Sequence, residues 1–250
     1  MSITGEGAAD GGRPLKVGVA ISDVVTGLFA TVSILAGLLG RERGPAAGQR
    51  IDVSLLESTL AVLVNQAQNA FTTGRAPGRM GNAHPNLVPY ETFATADGEL
   101  VVAVASERQW PRFCEALGLP ALAADPRFAD NGRRVERREE LHAILATVLA
   151  GRTTADWLAA LEAADVPVAA VNDVAAAFAA PQAVARGMTA EVEHPAFGVL
   201  RQAGIPFRLS ATPATIRTAP PLLGEHSAEI LAEAGYPPEA VAGLRARGVI

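Results

Sequence analysis

Cysteine is nearly absent: Cys114 is the single one in 250 residues. It cannot close an internal disulfide, and one Cys with four dispersed His offers no metal-ligand spacing. A reducing compartment fits, and we expect a cytoplasmic protein with no metal site. Clustered positive charge is also missing. The net charge is -5 with a pI near 5.4, and Lys and Arg gather only in local patches, so there is no electrostatic footprint for nucleic acid. No G-x-G-x-x-G phosphate loop occurs. A signal peptide's basic start and early apolar run are lacking too, since Glu6 and Asp10 come before any apolar stretch. The uncharged, mostly apolar run Val24 to Gly40 has about seventeen residues, at the lower limit for a bilayer span. Gly27, Thr31, Ser33 and Gly37 interrupt it with small residues that let another helix approach, and no second span follows. We therefore expect a buried helix capped by Asp23 or Ser22, with Arg41 and Arg43 favouring its carboxyl end, and no membrane partner.

What is present is ample apolar material. With 49% hydrophobic and 19% charged residues, the chain can bury about 70 to 75% of its unfolded surface in one or two domains. The most informative stretch runs from Arg79 through Gly81, Asn82, Ala83, His84, Pro85 and Asn86 to Pro89 and Tyr90. Pro85 and Pro89 remove backbone donors and push their predecessors out of the helical region, so this is an irregular loop. Beyond it, Asp97-Gly98 is a two-residue turn signal between Tyr90 to Ala94 and Leu100 to Val104, which predicts a hairpin. A loop held on a rigid hairpin is a place for chemistry, and this one carries a lone imidazole and two carboxamides. His84 either faces a ligand or fixes the turn by bonding Asn82 or a nearby carbonyl.

Elsewhere the pattern reads mainly as helices. Gln49 to Val53 suggests a short strand. Ser54 and Glu57 make a capping box before a long helix to Thr73, closed by Gly74. Asn65, Gln66, Gln68 and Asn69 on that helix suit a ligand or a partner chain. Ser106 to Gln109 repeats the box spacing, ahead of a helix through Phe113 that stops at Gly118. Arg133, Arg134, Arg137 and Arg138 alternate with Glu136, Glu139 and Glu140 on one helix continuing to Leu149, which reads as a solvated face or a phosphate site. Thr153 and Asp173 start further helices, with a strand near Val168 between them. Short strands are expected from Thr189 to Ser210, extended chain over Pro213 to Pro221, a helix capped by Ser227 and a last helix opened by Pro238. His194 and His226, beside turn residues, read as structural.

Taken in order, these segments resemble the family III CoA-transferases, the group that includes formyl-CoA transferase and carnitine CoA-transferase, with the methylacyl-CoA racemases as relatives. The marks are Lys16 to Asp23 leading into Thr26-Gly27-Leu28, Gly48 to Leu55, Gly81 to Tyr90, Val171-Asn172-Asp173 and Pro221 to His226. The Gly81 to Asn86 turn resembles the transferase branch rather than the racemases. The resemblance implies an α/β fold with helices of a large Rossmann-like domain over 1–78, a small domain over 79–195 and a return segment over 196–250. It further implies transfer of CoA between carboxylic acids through an aspartyl intermediate, with a coenzyme A thioester as substrate and no resident cofactor. The expected partners are an acyl-CoA, an acceptor acid and an interlocked homodimer or a separate amino-terminal half. The family's shielding Gly-rich loop corresponds to Gly81, Asn82, Ala83, His84 and Pro85, where His84-Pro85-Asn86 stands in place of a glycine run. The family's nucleophilic Asp precedes the segment matching Met1 to Gly5. Asp10, Asp23 and Asp52 do not occupy that position, so no catalytic residue is assigned, and the chain is expected to be truncated and inactive alone. The alternatives are a non-catalytic remnant or assembly partner of a split enzyme, and a racemase-like enzyme.

Overall fold

The computed structural model describes residues 2–7, 11–44 and 48–250. Asp10 lies outside them. The chain divides into two compact units, Met1–Val171 and Asn172–Ile250. The first opens with α1 (Ile21–Arg43), whose start carries no side-chain cap; Asp23 instead sits in the first turn, where its charge still suits the helix dipole. The expected burial of this helix is not found. No residue of α1 is buried, and Leu28 and Leu35 are 62% and 60% exposed, because the short helix that follows is its principal neighbour. By length and apolar composition alone, with a hydropathy of 1.8, α1 also satisfies the requirement for crossing a membrane.

Gln49 to Val53 is not a strand, since no described strand lies beside it to complete a ladder. The Ser54 half of the capping box forms, Ser54 Oγ accepting from the Glu57 amide at 3.2 Å, but the Glu57 carboxylate accepts from the Ser54 hydroxyl at 2.7 Å rather than from the Ser54 backbone amide. The single long helix expected after it is instead α2 (Leu55–Ala61) and α3 (Asn65–Thr73). They are broken at Val64, whose φ of 46° is strained for a β-branched residue.

The hairpin is present as β1 (Tyr90–Ala94) and β2 (Glu99–Ala103), but Asp97 and Gly98 do not adopt the positive φ of the expected turn. Thr95 and Gly98 close it, with the Thr95 amide donating to the Gly98 carbonyl at 2.9 Å. A β-carbon at Gly98 would lie 3.2 Å from the Thr154 hydroxyl, a tight contact. Alternation puts Glu91 and Phe93 of β1 and Leu100 and Val102 of β2 on one buried face, in facing pairs. Against that face pack α4 (Gln109–Ala116), α5 (Pro120–Ala123), a 3-10 turn at Pro126–Phe128, α6 (Asn131–Glu136), α7 (Arg138–Leu149) and α8 (Thr154–Ala163). Their core contacts follow helical spacing: Trp110, Phe113 and Cys114; Leu141, Leu145 and Leu149; Trp157 and Leu161. β3 (Val168–Ala170) then pairs antiparallel with β2 to complete a sheet in the order β1-β2-β3.

Two further expectations change here. The Gln109 carboxamide reaches back to the amides of Ala105 and Ser106, at 3.0 and 3.1 Å, but the Ser106 hydroxyl caps nothing, so half the second box forms. The charged helix from Arg133 onward is interrupted at Arg137, where ψ turns to 31°.

The second unit holds α9 (Val174–Ala179), capped by Asp173 at 2.7 Å, then α10 (Pro181–Ala185) and the antiparallel hairpin β4 (Thr189–His194) with β5 (Gly198–Ala203). Pro206 to Ser210 forms no strand. Then come α11 (Ser227–Glu233), preceded by His226 at the cap position in place of Ser227, and α12 (Pro238–Ala246). The class is mixed α/β, as the sequence pattern implies.

Candidate functional site

The loop before β1 turns at Gly81, whose φ of +59° a side chain would strain. From there it is clamped by three helices. From α3, Asn65 and Asn69 donate to the Asn86 side-chain oxygen at 3.1 and 3.0 Å, and Asn86 donates back to Asn69 at 3.1 Å. From α6, Asn131 takes the Val88 amide at 3.1 Å and donates to the Asn86 carbonyl at 2.8 Å. Arg134 Nε donates to the Val88 carbonyl at 2.8 Å. From α7, Arg138 donates to the carbonyls of His84 and Pro85, at 2.7 and 3.3 Å.

His84 is fixed by its own loop. Its Nδ1 accepts from the amides of Asn86 and Leu87, both at 3.1 Å, and its backbone amide donates to the Tyr90 carbonyl at 2.8 Å. The ring stacks on Tyr90, with centroids 5.1 Å apart and planes 14° from parallel. Asn82 is not its partner. Burial, then the nearby Arg138 charge, push the imidazole below its ordinary pKa and favour the neutral ring. Among the described residues the Nε2 atom has no partner, and it is not enclosed, so it is the ring's open polar edge.

Arg134, 1% exposed, is also bonded to the Phe128 carbonyl at 3.1 Å and the Glu107 carboxylate at 3.0 Å, and lies over the Trp110 ring at 4.8 Å. This corrects the reading of the Arg run as one solvated face. Arg133 and Arg137 do point to local partners, Asp130 and Glu136, whereas Arg134 and Arg138 face inward and serve backbone carbonyls of the loop and its support. No convergent phosphate cradle results.

Behind the loop lies Glu91 on β1, 7% exposed, with one carboxylate oxygen 2.8 Å from His142 Nδ1. His142 stacks on Phe93 at 5.0 Å. Burial lowers the Arg138 pKa, and Glu91 opposes that shift. Glu91 Oε1 and Arg138 Nη1 are enclosed with no hydrogen-bond partner among the described residues. Arg134 belongs to α6, while Arg138 and His142, four apart, share one face of α7; that spacing was the available sequence signal for His142, which our reading missed.

Of the other candidates, His194 is buried and accepts from the Ala196 amide at 3.0 Å, a turn-fixing role. Asp23 is exposed on α1, and Asp52 is exposed and paired with Arg50 at 2.6 Å. Neither approaches the loop through a hydrogen bond. Burial pushes the Cys114 thiol up to about 12, which makes it inert as a nucleophile. No cluster of His, Cys, Asp or Glu suited to a metal occurs among the described residues.

The sequence is 41% identical over 233 residues to a succinate–glutarate CoA-transferase of Agrobacterium fabrum, covering 93% of this chain and 57% of that protein. To the succinyl-CoA:glutarate CoA-transferase of Mus musculus it is 37% identical over 251 residues, covering 100% and 57%. A solved CAIB/BAIF family protein from Brucella suis superposes with a TM-score of 0.73 at 38% identity, over 93% of this chain and 59% of that one. The chain thus spans little more than half the length of these relatives. The sequence model for CoA-transferase family III matches residues 1–227, and with these relatives it shows that the chain belongs to CoA-transferase family III.

Proposed function

We propose that this chain supplies the acyl-selecting part of an acyl-CoA:carboxylate CoA-transferase. One observation carries the reading: the loop that runs on from Gly81 is held over His84 to Val88 by side chains from three helices, yet His84 Nε2 has no partner among the described residues. Such a clamp costs conformational entropy in every bonded side chain, and it fits a surface that must hold a reacting group in place and keep water away. The names of the relatives support acids such as succinate and glutarate as the class of substrate. The substrates are then an acyl-CoA and a carboxylic acid, with CoA a substrate and not a resident cofactor, and the enzyme works in the cytoplasm as an interlocked dimer.

In the reaction proposed, a carboxylate attacks the thioester carbonyl and releases CoA thiolate, leaving a mixed anhydride. The thiolate attacks that anhydride to form an enzyme thioester and free the first acid, and the second acid completes the exchange by the reverse steps. We place Gly81, Asn82, Ala83, His84 and Pro85 over the acyl group. His84 Nε2 meets the carbonyl oxygen where negative charge develops, a contact whose loss typically costs about ten- to a thousand-fold in rate. The attacking carboxylate is assigned to neither Asp23 nor Asp52, both exposed and unconnected to the loop.

The test is exchange of label between succinyl-CoA and free glutarate. The 250-residue chain alone should give no turnover above a heat-treated control. Turnover is expected when the part of the Agrobacterium relative outside the matched span is supplied in trans. Turnover by the chain alone would refute the assignment of the nucleophile. Association in trans without turnover would favour the rival reading, a non-catalytic assembly partner.

A further inference from the structure

The clamp does more than immobilise His84; it selects one of the ring's two tautomers. A nitrogen that accepts two backbone N–H groups has its lone pair occupied and has no room for a proton. Nδ1 is such a nitrogen, with the Asn86 and Leu87 amides each 3.1 Å away. The single proton of the neutral ring is then on Nε2, the edge that has no partner among the described residues and is not enclosed.

A second feature works in the same direction. Arg138 approaches from α7 and donates to the carbonyls of His84 and Pro85, at 2.7 and 3.3 Å. This brings a guanidinium charge beside the imidazole, and two positive charges at such a distance repel. The other titratable groups around the loop are Tyr90, stacked on the His84 ring, with Glu91 of β1 and His142 of α7. Glu91 is already engaged by His142 at 2.8 Å. No carboxylate bonds His84 to stabilise a second proton on it.

We infer that His84 serves the acyl site as a neutral hydrogen-bond donor through Nε2–H, and that Arg138 is the positioning residue that keeps it neutral and in that orientation. This rests on the reading of the loop as the acyl guard. A neutral donor stabilises an oxyanion as it forms without binding the ground-state carboxylate as an ion pair, so its help is concentrated in the transition state. It also cannot act as a general base at Nδ1, which excludes proton abstraction by His84 through that atom.

The first test needs no activity. With ¹⁵N-histidine in the chain, only four imidazoles are visible, those of His84, His142, His194 and His226. Long-range proton–nitrogen spectra at pH 7 should show His84 protonated at Nε2 and bare at Nδ1, with a midpoint of titration below that of free imidazole. A proton on Nδ1, or a doubly protonated ring at pH 7, overturns the proposal. Arg138→Gln, which removes the charge, should raise the midpoint; an unchanged midpoint overturns the part given to Arg138. Should that variant fail to fold, the wild-type spectrum still decides the tautomer.

The second test uses the reconstituted transferase. An Asn at position 84 offers an oxygen near the Nδ1 position and nothing near Nε2, whereas a Gln reaches the Nε2 position. His84→Asn should keep the loop's thermal stability and lose about ten- to a thousand-fold in kcat. His84→Gln should retain more of kcat while losing stability. The reverse order, or full kcat in His84→Asn, overturns the donor role. Absence of turnover in the wild-type mixture would sink the transferase reading, while the spectra would still decide the state of His84.

Discussion

At the scale of single residues, Arg134 shows how much of this site depends on one buried cation. Its guanidinium satisfies two carbonyls and one carboxylate and covers the Trp110 ring, so its hydrogen bonds tie Val88 in the loop to Phe128 in the 3-10 turn. Arg134→Ala would leave those oxygens without their donors and open a cavity. The expected loss is about 3 to 5 kcal/mol of folding stability, read from urea titration of the chain. Arg134→Lys should recover only part of it, because an ammonium cannot reproduce the planar fork. A loss near zero for Arg134→Ala would mean that the bonds from Asn65, Asn69, Asn131 and Arg138 are enough to hold the loop. Nothing in the local pattern distinguished Arg134 from Arg133. Its partners Val88 and Glu107 lie 46 and 27 positions away, and only the folded chain brings them together.

At the scale of elements, the legible features were those whose partners are close in sequence. The Ser54, Thr153 and Asp173 caps and the turn at Gly74 all close within a few residues, and all form as read. The breaks at Val64 and Arg137 were not legible, because apolar spacing runs through the first and a series of charged side chains through the second; the helices that follow, α3 and α7, carry Asn65, Asn69 and Arg138 to the loop. The hairpin turn was read correctly in place and wrongly in kind. Its Asp97 does not supply positive φ; it reaches across to α8, accepting from the Thr154 amide at 2.7 Å and the Thr154 hydroxyl at 2.9 Å. The Thr154 amide bond, ahead of the hydroxyl bond, holds the Asp97 pKa below its ordinary value. The unfolded chain then binds the proton more readily than the folded one. This contribution is present above the unfolded carboxylate range, near pH 4, and is lost as pH falls through the folded value. Asp97→Asn should therefore lower stability slightly at pH 7 and flatten its fall in acid below the unfolded carboxylate range, near pH 4. Parallel curves for the two proteins in acid would remove Asp97 from the account.

At the scale of the whole molecule, the distribution of apolar surface remains to be explained. The first unit has a well-filled core under its sheet, with Leu100, Leu141, Leu145, Leu149 and Leu161 fully buried, yet α1 buries nothing and Phe71 on α3 is 81% exposed. Soluble monomers rarely leave an apolar helix of 23 residues uncovered. The polar breaks Gly27, Thr31, Ser33 and Gly37 do not supply a water-facing side, since Thr31 and Ser33 turn their hydroxyls back to the carbonyls of Gly27 and Phe29 at 2.8 and 2.7 Å. A helix satisfied internally in this way is suited to close packing by another helix. The isolated chain should accordingly form dimers or larger aggregates in light scattering at micromolar concentration, without detergent. Adding the part of the Agrobacterium relative outside the matched span should convert them to one defined species. Leu28→Glu with Leu35→Glu, on the open face of α1, should improve the solubility of the isolated chain and weaken that assembly. Their effect on the core beneath β1 and β2 should be small, because the two sites share no neighbours. A stable, well-behaved monomer of the wild-type chain would count heavily against an interlocked dimer, and would leave the apolar face of α1 without a purpose in the assembly proposed.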